Sequence, residues 1–316
     1  MKVIYHHSVG PWMERRLLGL ADSDDLEVEV VAPNDKELSD EMLSTVEVIW
    51  HVLEPLTADH ISAAPRLRLI QKIGVGVNTI DVEAASARGV VVCNMPGTNS
   101  QAVAELALSM MFACLRRMVW LHGRTVDGHW HVPPEAPESM MELSGRTVGL
   151  VGYGSIPRIL APALVALGAK VIYTATSAKD DAVGEFREID LLLEESDIVS
   201  LHVPLTSSTL GLIDRRSLQS MKPGSILVNT ARGALVDQAA LVGVLRSGGL
   251  AAAGLDVFGD EPVDPEDPIL ALDNVIVSPH IAWQTRETLE RSLEVGVENC
   301  RRLRDGSPLL NQVTSP

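Results

Sequence analysis

Three polar residues, Arg232, Glu261 and His280, each stand just beyond an apolar run that reads as a buried strand. Asn229-Thr230-Ala231-Arg232-Gly233 follows one run. Asp256-Val257-Phe258-Gly259-Asp260-Glu261-Pro262 ends the next, and Ser278-Pro279-His280-Ile281-Ala282-Trp283 follows the last. In open α/β folds the strand ends are where ligands bind. A planar guanidinium there has donors for both a carboxylate and a polarised carbonyl. An imidazole can give its proton to a nascent alkoxide, and a nearby carboxylate can orient the ring and hold it protonated. Together these groups suit the reduction of a ketone by hydride. Taken singly, a glutamate in so acidic a loop would be solvated and a histidine structural. Three candidates at successive strand ends reverse that reading.

Gly152-Tyr153-Gly154-Ser155-Ile156-Pro157 supplies the partner for such chemistry. It follows the apolar Thr147–Val151 and opens a helix with few charges. Glycines at that junction let the backbone approach a pyrophosphate, whose charge then rests on first-turn amides, those of Gly154, Ser155 and Ile156. Pro157 occupies the third glycine position, which the unpaired first-turn amides allow. A nicotinamide dinucleotide is the implied cofactor. At the end of the second strand, where an acidic side chain would grip the ribose 2′-hydroxyl of NAD, stand Thr174, Thr176 and Ser177, with Lys179 beyond them. Without an aspartate to repel a 2′-phosphate, the stretch leans towards NADP over NAD, although it has no arginine for bidentate binding. Asp256 suits the nicotinamide amide or ring, with a capping role as the alternative. Lys72-Ile73-Gly74-Val75-Gly76-Val77-Asn78 makes a second glycine turn, whose Val75 and Gly76 amides can bind a carboxylate as a nest.

The elements that must position these groups alternate strand and helix, the pattern of parallel α/β sheets. In the first third, strands are predicted at Lys2–Tyr5, Val28–Val31, Val46–Trp50, Leu69–Lys72 and Val90–Cys93. A second α/β unit from Arg146 has strands at Thr147–Val151, Lys170–Tyr173, Asp197–His202, Ser225–Asn229, Ala252–Leu255 and Val275–Val277. A single long helix is predicted from Ser100 to about Arg124, and a last one from about Arg286 to Arg304. A chain of 316 residues suits two domains. Its charge, 26 basic against 42 acidic residues, is −16, which disfavours nucleic acid as a partner. Cys93, Cys114 and Cys300 are scattered, as expected of reduced thiols in a cytoplasmic protein. The early strand lacks the pattern of a signal peptide, and no apolar run is long enough for a membrane span. His129-Trp130-His131 has no third ligand, so no metal site is expected. His6 and His7, just after the first strand, are expected to be solvent-exposed.

Together these segments resemble the D-isomer-specific 2-hydroxyacid dehydrogenases over nearly the whole chain. The likeness includes Asn94-Met95-Pro96-Gly97-Thr98-Asn99 and Ala102-Val103-Ala104-Glu105. The resemblance implies two Rossmann-like or flavodoxin-like parallel-sheet α/β domains with a cleft between them. Residues 1–98 and 284–316 would bind substrate, and 99–283 the nicotinamide cofactor, with a dimerisation helix at about 100–124. It implies a catalytic trio of Arg232, Glu261 and His280. Val75, Gly76, Arg232 and His280 would bind substrate. Val203, Pro204 and Thr209 would lie beside the adenosine, and Thr230, Ala231 and Ala282 near the nicotinamide. His51 stands roughly where some members carry an arginine for a substrate phosphate, so a small unphosphorylated 2-oxo acid is favoured, glyoxylate or hydroxypyruvate first. Residues near Trp50–Glu54 and Trp283 are expected to shape the acid's pocket, with Trp130 reaching in from a second subunit. The alternatives are D-lactate or D-3-phosphoglycerate as substrate, or a dinucleotide-sensing corepressor-like protein.

Overall fold

A computed structural model describes residues 1–32 and 38–314. The chain divides into two units, Met1–Asn99 with Gln284–Pro316, and Ser100–Trp283.

In the first unit, five parallel strands, β1 (Lys2–His6), β2 (Glu27–Val30), β3 (Val48–His51), β4 (Leu69–Lys72) and β5 (Val91–Cys93), form a sheet of order β2-β1-β3-β4-β5. Strands β3 and β4 are buried along their whole length, as strands covered on both faces are, although they end in the polar His51, Gln71 and Lys72. One face carries Ile4, Ile49 and Ile70 into a core with Leu43, Ile61 and Ala85 from the flanking helices. On the other, Trp50 lies against Gly296 of the Arg286–Asp305 helix, where a Cβ would sit 3.1 Å from the indole. Trp50 is therefore a core residue, fully buried, and not part of a pocket wall. The strand order reverses between β1 and β3, which makes their C-terminal ends the switch point of this sheet.

The second unit has seven parallel strands: β6 (Thr147–Val151), β7 (Lys170–Thr174), β8 (Glu185–Phe186), β9 (Ile198–Leu201), β10 (Ser225–Asn229), β11 (Leu250–Leu255) and β12 (Val275–Val277). Their order is β12-β11-β10-β9-β6-β7-β8, with the reversal between β6 and β9. The predicted Ser100–Arg124 helix is in fact two, Ser100–Leu115 and Met118–Val126, broken where Arg117 adopts a left-handed φ of 50°. The first packs Met110 and Met111 into the core of this unit. The second buries none of its residues.

Candidate active site

The loop after β6 is shaped by two glycines for different reasons. Gly152 has φ +100°, and a Cβ there would lie 2.7 Å from the His202 carbonyl oxygen, so the chain can cross β9 only without a side chain. Gly154 caps the Ser155–Ala166 helix in an ordinary extended conformation, and a Cβ on it would meet nothing within 4 Å. No side chain caps this helix. Its first amides and the open space before them fit a dinucleotide pyrophosphate. Pro157 is buried in the first turn without ending the helix, and Ser155 Oγ accepts a 2.8 Å bond from Ser100 Oγ.

The other predicted cofactor residues line the same C-terminal edge of the second sheet. Thr174 ends β7 and Thr176 follows it, exposed. Val203, Pro204 and Thr209 form a turn after β9, closed by Thr209 Oγ1 donating to Pro204 O at 2.6 Å. Thr230 and Ala231 follow β10, and the buried Thr230 Oγ1 has no partner among the described residues. Sequence reading found no arginine in the segment after β7, but the fold brings one to it. Arg158, from the helix after Gly154, makes a bidentate pair with Asp181, at 2.5 and 3.1 Å. This pairing joins residues 23 positions apart and needs the helix to be placed first.

On the same sheet edge, at the ends of β10, β11 and β12, the trio assembles. His280 Nδ1 lies 2.6 Å from Glu261 Oε2. Glu261 Oε1 accepts the Phe258 amide at 3.0 Å. Burial raises the Glu261 carboxyl, but His280, the Phe258 amide and the charge of Arg232 outweigh it and hold it below the usual carboxylate range. Arg232 is half-buried; burial lowers its guanidinium and Glu261 opposes that. Its Nη1 donates to Ala231 O at 2.6 Å. Gly233 lets this corner close, because a Cβ there would sit 1.9 Å from the Phe258 carbonyl.

Asp256 has a role the sequence left open. Its buried carboxylate accepts Ser278 Oγ at 2.5 Å and the Ile281 and Ala282 amides at 2.9 Å. It caps the loop that carries His280, whose φ of 52° a free chain would avoid. Ala282 and Trp283 are buried behind that loop.

In the first unit, the Gly74–Gly76 turn has its carbonyls tied back. Gly74 O accepts the Met95 amide at 2.8 Å and Val75 O accepts Asn94 Nδ2 at 2.9 Å. The Val75 and Gly76 amides meet no acceptor among the described residues. Of the two histidines expected to be exposed, His6 is 5% exposed and His7 is half-buried. His51 beside them is fully buried, with Nε2 2.9 Å from Thr79 Oγ1. The strands end one residue later than periodicity suggested, so the His6 and His51 rings lie within the sheet edge.

Comparison with known proteins agrees with this architecture. Residues 108–282 match the family described as D-isomer specific 2-hydroxyacid dehydrogenase, NAD binding domain. The chain is 39% identical over 277 residues to a glyoxylate reductase of Korarchaeum cryptofilum, covering 85% of this chain and 82% of that one. It is 42% identical over 248 residues to a hydroxypyruvate reductase of Thermotoga maritima, covering 77% and 78%. The crystal structure of the TT0316 protein from Thermus thermophilus superimposes with a TM-score of 0.88 at 37% identity, over 99% of this chain and 100% of that one. With a matched cofactor domain, related chains along most of its length and the two parallel sheets, the chain belongs to the D-isomer specific 2-hydroxyacid dehydrogenases, NAD(P)-dependent oxidoreductases acting on CH–OH groups.

Proposed function

We propose that the protein reduces glyoxylate or hydroxypyruvate to the corresponding 2-hydroxy acid, with His280 as the proton donor. The observation that carries this reading is the 2.6 Å contact of His280 Nδ1 with Glu261. A carboxylate on Nδ1 fixes the ring and its tautomer, and leaves Nε2 to give a proton to the substrate oxygen. Arg232 binds the substrate carboxylate and polarises the ketone. The Val75 and Gly76 amides take further carboxylate charge. The nicotinamide, when bound, supplies the hydride. Gly152, Gly154, Ser155 and Ile156 hold its pyrophosphate, with Val203, Pro204 and Thr209 beside the adenosine. Thr230, Ala231, Asp256 and Ala282 lie towards the nicotinamide. The names of the two relatives above support this substrate class.

NADP is the favoured nucleotide. Thr174, Thr176, Ser177 and Lys179 offer donors, and Arg158 neutralises Asp181 in the same segment. The working form is a homodimer through the two helices of the 100–126 region, Ser100–Leu115 and Met118–Val126. Met118, Val119 and Val126 are 52%, 57% and 69% exposed there, which an isolated surface rarely tolerates together. The thiols of Cys93, Cys114 and Cys300 are free and buried, and burial pushes them up to about 11, 12 and 12, consistent with a reducing, cytoplasmic setting. Among the described residues no helix is long and apolar enough to cross a membrane.

The test is turnover of glyoxylate, hydroxypyruvate, pyruvate and phenylpyruvate with NADPH and with NADH. Fastest kcat/KM on the two smallest polar acids with NADPH supports the reading. Inertness towards all four overturns it, and a strong preference for NADH overturns the choice of nucleotide.

A further inference from the structure

We infer that Asn94 is a positioning residue for this reaction: its side chain aims the Gly76 amide, and a chain of buried amides from the C-terminal helix holds Asn94 in place. The inference rests on the function proposed above, which gives that amide the substrate carboxylate, and adds the residues that set its direction. In a planar trans peptide the C=O of one residue and the N–H of the next point in opposite directions. The Gly74 carbonyl therefore shares a plane with the Val75 amide, and the Val75 carbonyl with the Gly76 amide. Both carbonyls are held by consecutive residues of the loop after β5. The Met95 amide donates to Gly74 O at 2.8 Å, and Asn94 Nδ2 donates to Val75 O at 2.9 Å. The two amides of the turn then face the opposite way, where they meet no acceptor among the described residues.

Asn94 is itself tied at both of its backbone groups. Its amide donates to Asn311 O at 3.1 Å, where the last residues of the chain run antiparallel to β5. Its carbonyl accepts Gln71 Nε2 at 3.4 Å, and Lys72 O accepts the same nitrogen at 3.2 Å. Gln71, on β4, and Asn299, on the Arg286–Asp305 helix, are fully buried, and Asn299 Nδ2 donates to Gln71 Oε1 at 2.6 Å. The far end of this chain decides which way each amide points. The Leu310 backbone N–H can only donate, so Asn299 must present Oδ1 to it, at 2.7 Å. That leaves Asn299 Nδ2 for Gln71, which must answer with Oε1 and turn Nε2 to the two carbonyls. Neither buried amide can flip without setting donor against donor. The network thus runs in one direction, from the C-terminal segment to the glycine turn, and Asn94 Nδ2 is its last donor.

Asn94→Ala removes the last donor and leaves the buried part of the network intact. In this variant KM for glyoxylate and for hydroxypyruvate should rise by the same factor, about fivefold to tenfold, the scale of one lost hydrogen bond. The inhibition constant of oxamate should rise with them. Its kcat should stay within about threefold, its affinity for NADPH should not change, and its melting temperature should stay within a few degrees. Gln71→Met breaks the network one step back and should raise the same KM values. Combined with Asn94→Ala it should raise them by less than the product of the two single effects, because both act through one bond. If Gln71→Met does not fold, Asn94→Ala alone decides. A purely structural role would instead lower the melting temperature and kcat with KM unmoved. An active wild type whose KM and oxamate inhibition are unchanged in Asn94→Ala overturns the role of Asn94 only, as does a variant that loses NADPH affinity by the same factor. A wild type inert towards every 2-oxo acid overturns the proposed function and this inference with it.

Discussion

His280 is held by backbone as firmly as by its side chain. Its amide donates to Asp256 O at 2.8 Å, and the two amides that follow it end on the Asp256 carboxylate. The placement of the proposed proton donor therefore depends on Asp256, a residue one strand away. Removing the donor, His280→Ala, should slow turnover by roughly 10²–10⁴-fold, the range for general acid–base catalysis. Near-normal steady-state kcat would take His280 out of the chemistry. Asp256→Asn should act differently. It turns an NH₂ group towards donors that need an acceptor, at a cost of about 1–3 kcal/mol. Denaturant unfolding should show that loss together with a lower kcat, whereas His280→Ala should leave stability nearly unchanged. Arg232, Glu261 and His280 were legible in the sequence because each follows an apolar strand, and strand ends can be read locally. The burial of His51 and Lys72 carried no such signal, because it follows from strand pairing and not from local sequence.

At the scale of the element, the helix Ser155–Ala166 gives the clearest separation of fold from function. Gly152 and Gly154 look equivalent in a glycine motif, but only Gly152 has a positive φ and a backbone neighbour in the way. Gly154→Ala should therefore fold as well as the wild type, its melting temperature within a few degrees. Its new methyl group occupies the open space before the helix, so fluorescence titration should show nucleotide binding weakened by about tenfold or more. Gly152→Ala should lose stability as well as binding. A Gly154→Ala variant with unaltered NADPH and NADH affinity would remove the helix terminus from the cofactor site. Most strands were readable because buried parallel strands are continuous apolar runs. Strand β8 was not: Glu185–Phe186 is two residues long and gives no period to read. Nor was the break at Arg117, where apolar residues continue on both sides and only a backbone reversal marks the end.

Across the molecule, acidity is spread over the surface while the buried titratable groups include imidazoles, and the two respond to pH in different ranges. His6 and His51 are depressed by burial to about 4 and about 2, against 6.5 for an unburied histidine. Above pH 6.5 neither the folded nor the unfolded chain protonates them, and their contribution to stability is fully present. As pH falls below 6.5 the unfolded chain takes up protons that the folded chain refuses, so stability falls. The loss continues down to the folded values, near pH 4 for His6 and pH 2 for His51. Each such group contributes a slope of up to about 1.4 kcal/mol per pH unit, so the pair gives up to roughly 3 kcal/mol per unit below pH 6. Between pH 6 and 5 most carboxylates are still ionised in both states, and the histidine effect stands apart from theirs. Urea unfolding of the wild type should show its midpoint falling over that interval, and the double variant His6→Asn, His51→Asn should show a shallower fall. Equal slopes in the two proteins would mean that the first sheet's edge admits protons while folded, and that its histidines are not shut away from water as their burial indicates.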